Sequence, residues 1–422
     1  STPFNVRGQW GGVILLGNAQ LNSSPGETQI EGIPDTESRG RYGGEDDEDS
    51  SGSVTYVSIR HGGTDIGAGN EINGLTLGGV GAGTNLEFIE VISNADDGVE
   101  FFGGTASIKH VVTAFCGDDS FDYDEGWRGY GQFWCTVQEE GEGDRGGEHD
   151  GGTDPEDGLP YAHPVIYNAT YMGRGSDAGR RALTFRDNAG GEYHNSIFYN
   201  WGKGVDIENL ASGEDSYERF ANNEIAFAGN VFDGCTGLGL DAGASDLFTI
   251  TMGSGWSSAA DSTEAADASA AALEASFAGN SNVVTASGLN YAISEGSGLL
   301  DLVPSEALLG GTAATNPWFD QVDYPGAFDP SEDCTWLDGW SMLSARGFLG
   351  CSTYIQEAET STFQIYPNPS NGAFSVRFEA NLANAVIRLV DLSGKLVFRE
   401  QVNAASGRVV ECYAADAVSG MY

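Results

Sequence analysis

The chain has 422 residues, with 62 Asp plus Glu against 19 Lys plus Arg, and a formal net charge of −43. That balance excludes recognition of nucleic-acid phosphates, which needs a Lys/Arg footprint, and docking on an anionic membrane surface. Disorder is excluded too, because 40% of residues are hydrophobic and 11% aromatic, while apolar runs such as Val13 to Leu16 are far too short to span a bilayer.

The chain opens at Ser1 with neither methionine nor leader, as expected of a processed or incomplete start. A mature secreted chain has lost its leader, so this does not argue for the cytoplasm. Short alternating strands are predicted from Val13 and over residues 54–59, 86–92, 108–115 and 132–137, between Gly, Asn and Asp turns. These strands repeat. Asn94-Ala95-Asp96-Asp97-Gly98-Val99-Glu100-Phe101 returns 22 residues later as Cys116-Gly117-Asp118-Asp119-Ser120-Phe121-Asp122-Tyr123. Asp96 falls on Asp118, Asp97 on Asp119 and Glu100 on Asp122; in the preceding strands Ile89 falls on Val111 and then on Phe133. A period near 22 with short strands means a solenoid whose coils bury their apolar faces only by stacking. The 62 glycines mark corners that need positive φ. Leucine-rich spacing is absent, so the predicted fold is all-β: a right-handed parallel β-helix.

Further strands are predicted over 164–171, 182–186, 193–199 and 224–232. Two acidic segments, 35–52 and 139–158, lack apolar periodicity and are expected to be exposed loops. The Ala-rich segment 257–277 predicts one or two helical turns inserted over the solenoid. The aromatic-rich stretch at about 301–355 is expected to cap the open end of the coil stack. A polar, featureless linker near 352–362 separates a domain at 1–355 from one at 356–422, where alternating runs at 374–379, 385–391 and 395–400 predict a small Ig-like β-sandwich. None of the six cysteines forms a CxxC pair. Cys334 and Cys351 flank a Trp-rich loop and make a candidate disulfide, allowed in an exported protein; the others read as small buried hydrophobes.

The tail carries Tyr366-Pro367-Asn368-Pro369-Ser370-Asn371-Gly372, then Asp391-Leu392-Ser393-Gly394-Lys395, then Gly420-Met421-Tyr422. It resembles the C-terminal sorting domain of type IX secretion cargo in Bacteroidetes. The resemblance implies that Pro367, Asn368, Pro369, Gly372, Asp391, Gly394, Lys395, Gly420, Met421 and Tyr422 belong to an export signal read by the secretion machinery. It also implies delivery to the outer cell surface or the medium. The family's chain normally continues past Gly-Met-Tyr, so an incomplete end is expected. The first 350 residues, through Gly8-Gln9-Trp10-Gly11-Gly12, Arg60-His61-Gly62-Gly63, Asn70 to Gly79 and Asp96-Asp97-Gly98, resemble secreted Bacteroidetes β-helix proteins of unsettled activity, with a pectate-lyase-like solenoid.

Three constellations bear on chemistry. Equivalent positions of adjacent coils lie roughly 4.8 Å apart, so Asp96, Asp97, Glu100, Asp118, Asp119 and Asp122 form a carboxylate column. Stacked like charges repel, and a hard cation that takes six to eight oxygens, Ca²⁺, would relieve them. Turn chemistry, in which Asp bonds backbone at corners, is the alternative. Asp206 and Asp241 are candidates to extend the column. Paired carboxylates also serve glycoside hydrolysis, and a lyase would add a base such as Arg128, Arg174, Arg180, Arg181 or Arg186. The polygalacturonase Gly-His-Gly and Arg-Ile-Lys motifs are missing, and arginine in so acidic a chain reads first as an ion-pair partner. His149, between Glu148 and Asp150, is a conceivable metal position, with a plain solvated loop as the alternative reading. Trp127, Tyr130 and Trp134 are either core or a sugar-stacking surface.

The sequence therefore reads as an exported, calcium-stabilised, non-enzymatic surface protein that is adhesive, coat-forming or glycan-binding. Its partners are the type IX secretion machinery and possible extracellular glycans or surface proteins, with no nucleic acid and no membrane insertion. The alternatives are a calcium-dependent polysaccharide lyase or glycoside hydrolase, and a subunit of a surface assembly.

Overall fold

The computed structural model describes residues 2–350 except 35, 68–71, 176–177, 179, 236–246, 312 and 333, and residues 363–413 except 367–372, 379–381, 391–395 and 405–406. The chain divides into two compact units, Ser1–Ser352 and Thr353–Tyr422.

The first unit is a parallel β-helix. Each coil gives one strand to an eight-stranded parallel sheet and one or two strands to a second parallel sheet. The first sheet stacks Val13–Leu16, Leu75–Gly78, Val99–Phe102, Phe121–Asp124, Gly147–Asp150, Arg181–Arg186, Lys203–Asn209 and Phe248–Met252. The 22-residue offset is real where it was found: Val99 pairs with Phe121, Glu100 with Asp122, and Ile89 with Val111. Val111 then pairs with Trp134, one residue beyond the expected Phe133, because the fourth coil has a turn one residue longer.

Alternation along each strand decides what is buried. Val99, Phe101, Phe121 and Tyr123 point into the coil and are almost fully buried, while Glu100 and Asp122 point out. The interior is filled by stacked rings, with Phe101 3.9 Å from Trp127 and Phe121 4.5 Å from Trp134. Trp127 and Trp134 are thus core side chains, and Tyr130 packs on Trp318 and Phe319, so these three form no sugar-stacking surface.

The strands of the second sheet bend at one residue per coil. Tyr56, Phe88, His110 and Phe133 occupy this position with φ of 54, 53, 52 and 57°. Left-handed backbone is costly for bulky residues. Here the cost is offset by a ladder of stacked rings 4.5, 4.4 and 4.8 Å apart. Asn168 and Asn195, which tolerate this conformation, continue the position with φ of 54 and 49°.

Three expectations need correction. The aromatic-rich segment does not close the end of the stack. It lies along the second sheet's outer face, packing Tyr324, Phe328, Met342 and Phe348 against Ile92, Val112, Phe133 and Ile197. Its backbone is anchored on successive coils: Met342 N–H donates to the Glu90 carboxylate at 2.6 Å, Gln132 bonds Asp320 at 2.8 and 2.9 Å, and Asn168 donates to the Tyr324 carbonyl at 2.8 Å. An apolar outer face needs this cover as much as an open end does. The last coil is instead covered by a helix, Ala259–Gly279, capped by Ser258. At 21 residues it makes about six turns rather than one or two, and it sets Phe277 against Phe232 and Phe248. Finally, Gly147–Asp150 is a buried strand, not part of an exposed loop. Its inward positions hold Gly147 and His149, so no apolar alternation marks it in the sequence.

The second unit has a three-stranded and a two-stranded antiparallel sheet around Phe374, Val376, Phe378, Val402, Val410 and Cys412. Pro367, Asn368, Pro369, Gly372, Asp391, Gly394, Lys395, Gly420, Met421 and Tyr422 lie outside the described residues. Cys334 is disulfide-bonded; Cys351, its expected partner, also lies outside them.

Candidate metal centre

Stacking builds two adjoining columns on the outer side of the first sheet. At the turn entering each strand, the Asp119 N–H donates to Asp97 Oδ1 at 2.8 Å, and the Arg145 N–H in turn donates to Asp119 Oδ1. Asp97 and Asp119 therefore accept from the backbone of the following coil rather than from their own turns. In the strand itself, register aligns Thr76, Glu100, Asp122, Glu148, Thr184 and Asp206. Asp206 extends the Glu100/Asp122 column; Asp241 lies outside the described residues.

Three overlapping groups of carboxylates arise. One oxygen from each of Asp97, Glu100 and Asp122 lies within 4.8 Å of the others, and the same holds for Asp96, Asp97 and Asp118 and for Asp118, Asp119 and Asp144. Asp97, Glu100 and Asp122 are buried. Glu100 accepts from the Asn73 amide, whereas Asp122 Oδ1 is buried without a hydrogen-bond partner. Burial first, and then the neighbouring carboxylates, push Asp97, Glu100 and Asp122 well above the usual carboxylate range. Asp119 is raised in the same way, by burial first and then by Glu148 and Asp97.

The charge is neutralised only further along the stack. Arg145 pairs with Asp119 at 3.3 Å, Asp144 at 3.2 Å and Glu148 at 2.9 Å. Arg186 reaches Glu148 at 3.0 Å and Asp150 at 2.7 Å, and Arg181 reaches Asp206 at 2.7 Å. Arg180 pairs with Asp144, and Arg128 with Asp47 in the first acidic loop. Among the described residues, no Lys, Arg or His forms an ion pair with Asp97, Glu100 or Asp122. A buried carboxylate oxygen with no partner, set among two more acids, fits a cation bound through oxygen. Asp97, Glu100 and Asp122 would hold it, with Asp96, Asp118 and Asp119 beside them.

His149 is no ligand. It lies in the core, stacked 4.2 Å from Tyr123 and hydrogen-bonded to the Tyr193 hydroxyl at 2.9 Å, where burial lowers it to about 3 and keeps it neutral. Sequence reasoning missed Arg145, Glu148 and Asp150. Glu148 follows Asp122 by 26 residues, four more than the period, because residues 139–143 lengthen that turn. Allowing a four-residue insertion would have found all three.

Residues 2–278 match the pectate-lyase-like β-helix domain, and residues 364–422 match the secretion system C-terminal sorting domain. No curated protein and no solved structure matches the chain. Among the described residues, no helix is long and apolar enough to cross a membrane. The sorting domain marks export to the cell surface or extracellular space by the type IX secretion machinery. With more than half of its length and its stacked parallel sheets accounted for, the chain belongs to the pectate-lyase-like β-helix family.

Proposed function

We propose that this exported protein is a non-catalytic surface β-helix, adhesive or coat-forming, whose middle coils are locked by Ca²⁺ at Asp97, Glu100 and Asp122. The observation that carries the reading is the cluster of three buried carboxylates with no cationic partner among the described residues, one of them with an unpaired oxygen. The arginines on the same face argue against catalysis. Arg145, Arg181 and Arg186 are all ion-paired to carboxylates of the chain, so none stands free as the base a lyase needs. Extracellular glycans or other surface proteins are the partners this reading calls for.

Calcium bound only by the folded state adds stability, about 2.7 kcal/mol when free ion is a hundredfold above Kd. Chelation should lower the melting temperature by several degrees, and calorimetric titration of the stripped protein should show saturable calcium binding. Neither a shift nor binding heat would remove the metal from the proposal.

A polysaccharide lyase is the second reading. It is favoured by an open cavity of about 400 Å³ lined by Arg145, Arg181, Arg186 and Asp206 beside the column. Cleavage of any member of a broad polysaccharide panel, abolished by Asp97→Ala and Asp119→Ala with the fold intact, would replace the non-catalytic reading. A subunit role in a surface assembly predicts a molecular mass in solution above that of one chain.

A further inference from the structure

On the outer flank of the second sheet, away from the carboxylate column, lies a cavity of about 210 Å³. That is space for roughly seven water molecules and is smaller than a typical drug-sized cleft. Its walls are aromatic. His110 and Phe133 come from the ring ladder, and Tyr324, Phe328 and Trp336 from the covering segment. Trp336 and Phe328 stack 5.5 Å apart, and His110 meets Trp336 edge-on at 5.3 Å. The Trp336 indole is fixed by donating to the Ala327 carbonyl at 2.9 Å. Burial holds the His110 imidazole below its usual range against the pull of Glu87, so it is a neutral wall. Two carboxylates, Asp329 and Glu332, line the same space, and among the described residues neither lysine nor arginine does.

The protein twice satisfies this combination of groups with its own cations. The Lys109 ammonium sits 4.8 Å over the Trp318 ring and 2.9 Å from Asp320. The Arg219 guanidinium sits 4.0 Å over the Tyr161 ring and 3.4 Å from Glu214. In each case an aromatic face and a carboxylate share one cation. The flank cavity offers aromatic faces and carboxylates with no cation among the described residues that line it.

We propose that this cavity binds a small organic ammonium ion, held against the Trp336, Phe328 and Tyr324 rings and balanced by Asp329 and Glu332. Ring quadrupoles attract such a cation, and desolvation inside a cavity strengthens the attraction. The volume suits one substituted ammonium group rather than an oligosaccharide chain. A calcium ion needs six to eight oxygens, and here two carboxylates are set among aromatic rings. The site shares no residue with the carboxylate column, so either proposal can fail without the other.

The test uses the full chain in calcium-containing buffer and calorimetric titration with choline. A parallel titration uses the neutral isostere in which a tert-butyl group replaces trimethylammonium. Choline should bind saturably at one equivalent, with the isostere about tenfold weaker or more. Glu332→Gln, on the exposed rim, should weaken choline roughly fivefold without changing the melting temperature. Glucosamine binding as tightly as choline would assign the site to ammonium in general, and choline alone to the methylated ion. The proposal is overturned if choline gives no saturable binding, if the isostere binds equally well, or if neither Glu332→Gln nor Asp329→Asn weakens binding.

Discussion

Asp122 shows what stacking does to a single side chain. On an isolated strand it would be an ordinary solvated carboxylate. Between Glu100 and Glu148 it is buried, repelled from both sides and left with one oxygen unpaired. Asp122→Asn removes that buried charge. In chelator the variant should melt a few degrees above the parent, and with calcium below it, because the ligand set has lost a charged oxygen. Thermal melts of both proteins in both buffers check this, and a variant less stable than the parent in chelator would count against it. Asp122 was legible in the sequence because the repeat places it 22 residues after Glu100. Arg145 was not, since a longer turn carries it out of step and its residue type differs from Asp119. The left-handed aromatics are a second case. Tyr56, Phe88, His110 and Phe133 look like ordinary strand residues, and only the stacked coils show that all four share one bend.

Strands and helices were legible where side chains alternate in the usual way. Val99–Phe102 and Phe121–Asp124 put Val, Phe and Tyr inward and acids outward, so pattern and period agree. Gly147–Asp150 was hidden, because its inward face is glycine and a neutral histidine. The helix Ala259–Gly279 was recognised by composition, but its length follows from what it must cover. Leu273 and Phe277 are buried against the last coil, so the helix continues until that coil is sealed. Phe277→Ala should destabilise the first unit by about 3–5 kcal/mol, a large-to-small change at a closed interface. Urea denaturation followed by tryptophan fluorescence measures it. A loss below about 1 kcal/mol would mean that the helix does not seal the stack.

Across the protein, the net charge of −43 divides into three populations. Exposed loops hold solvated acids, the later coils pair theirs with arginine, and the middle coils bury Asp97, Glu100 and Asp122 with no ion pair among the described residues. Acids raised by burial, whether paired or not, make stability fall as pH rises. Asp97, Glu100, Asp119 and Asp122 are raised by burial and by one another, and burial pushes Asp150 up to about 7 against the pull of Arg186. Between the unfolded carboxylate range, near 4, and these raised values, the folded state holds more protons than the unfolded one, so its stability decreases with pH. Chelated protein should therefore melt higher at about pH 5 than at about pH 7.5, and calcium should shrink or invert the difference. A chelated melting temperature that rises over this interval would contradict the assignment.

The repeat, the alternation within each strand and the acidic turns were enough to establish a parallel β-helix with stacked carboxylates, because these depend on local side-chain direction and a constant spacing. The tail motifs likewise pointed to export. Folding decided which acids are neutralised, because Arg145, Arg181 and Arg186 reach the face across turns of unequal length. It also decided where the aromatic segment lies, since the apolar outer side of the second sheet forms only when Ile92, Val112 and Phe133 are brought together from different coils. A charge count carries no record of which carboxylates are buried; in this protein that depends on which coil, and which side of it, each acid occupies.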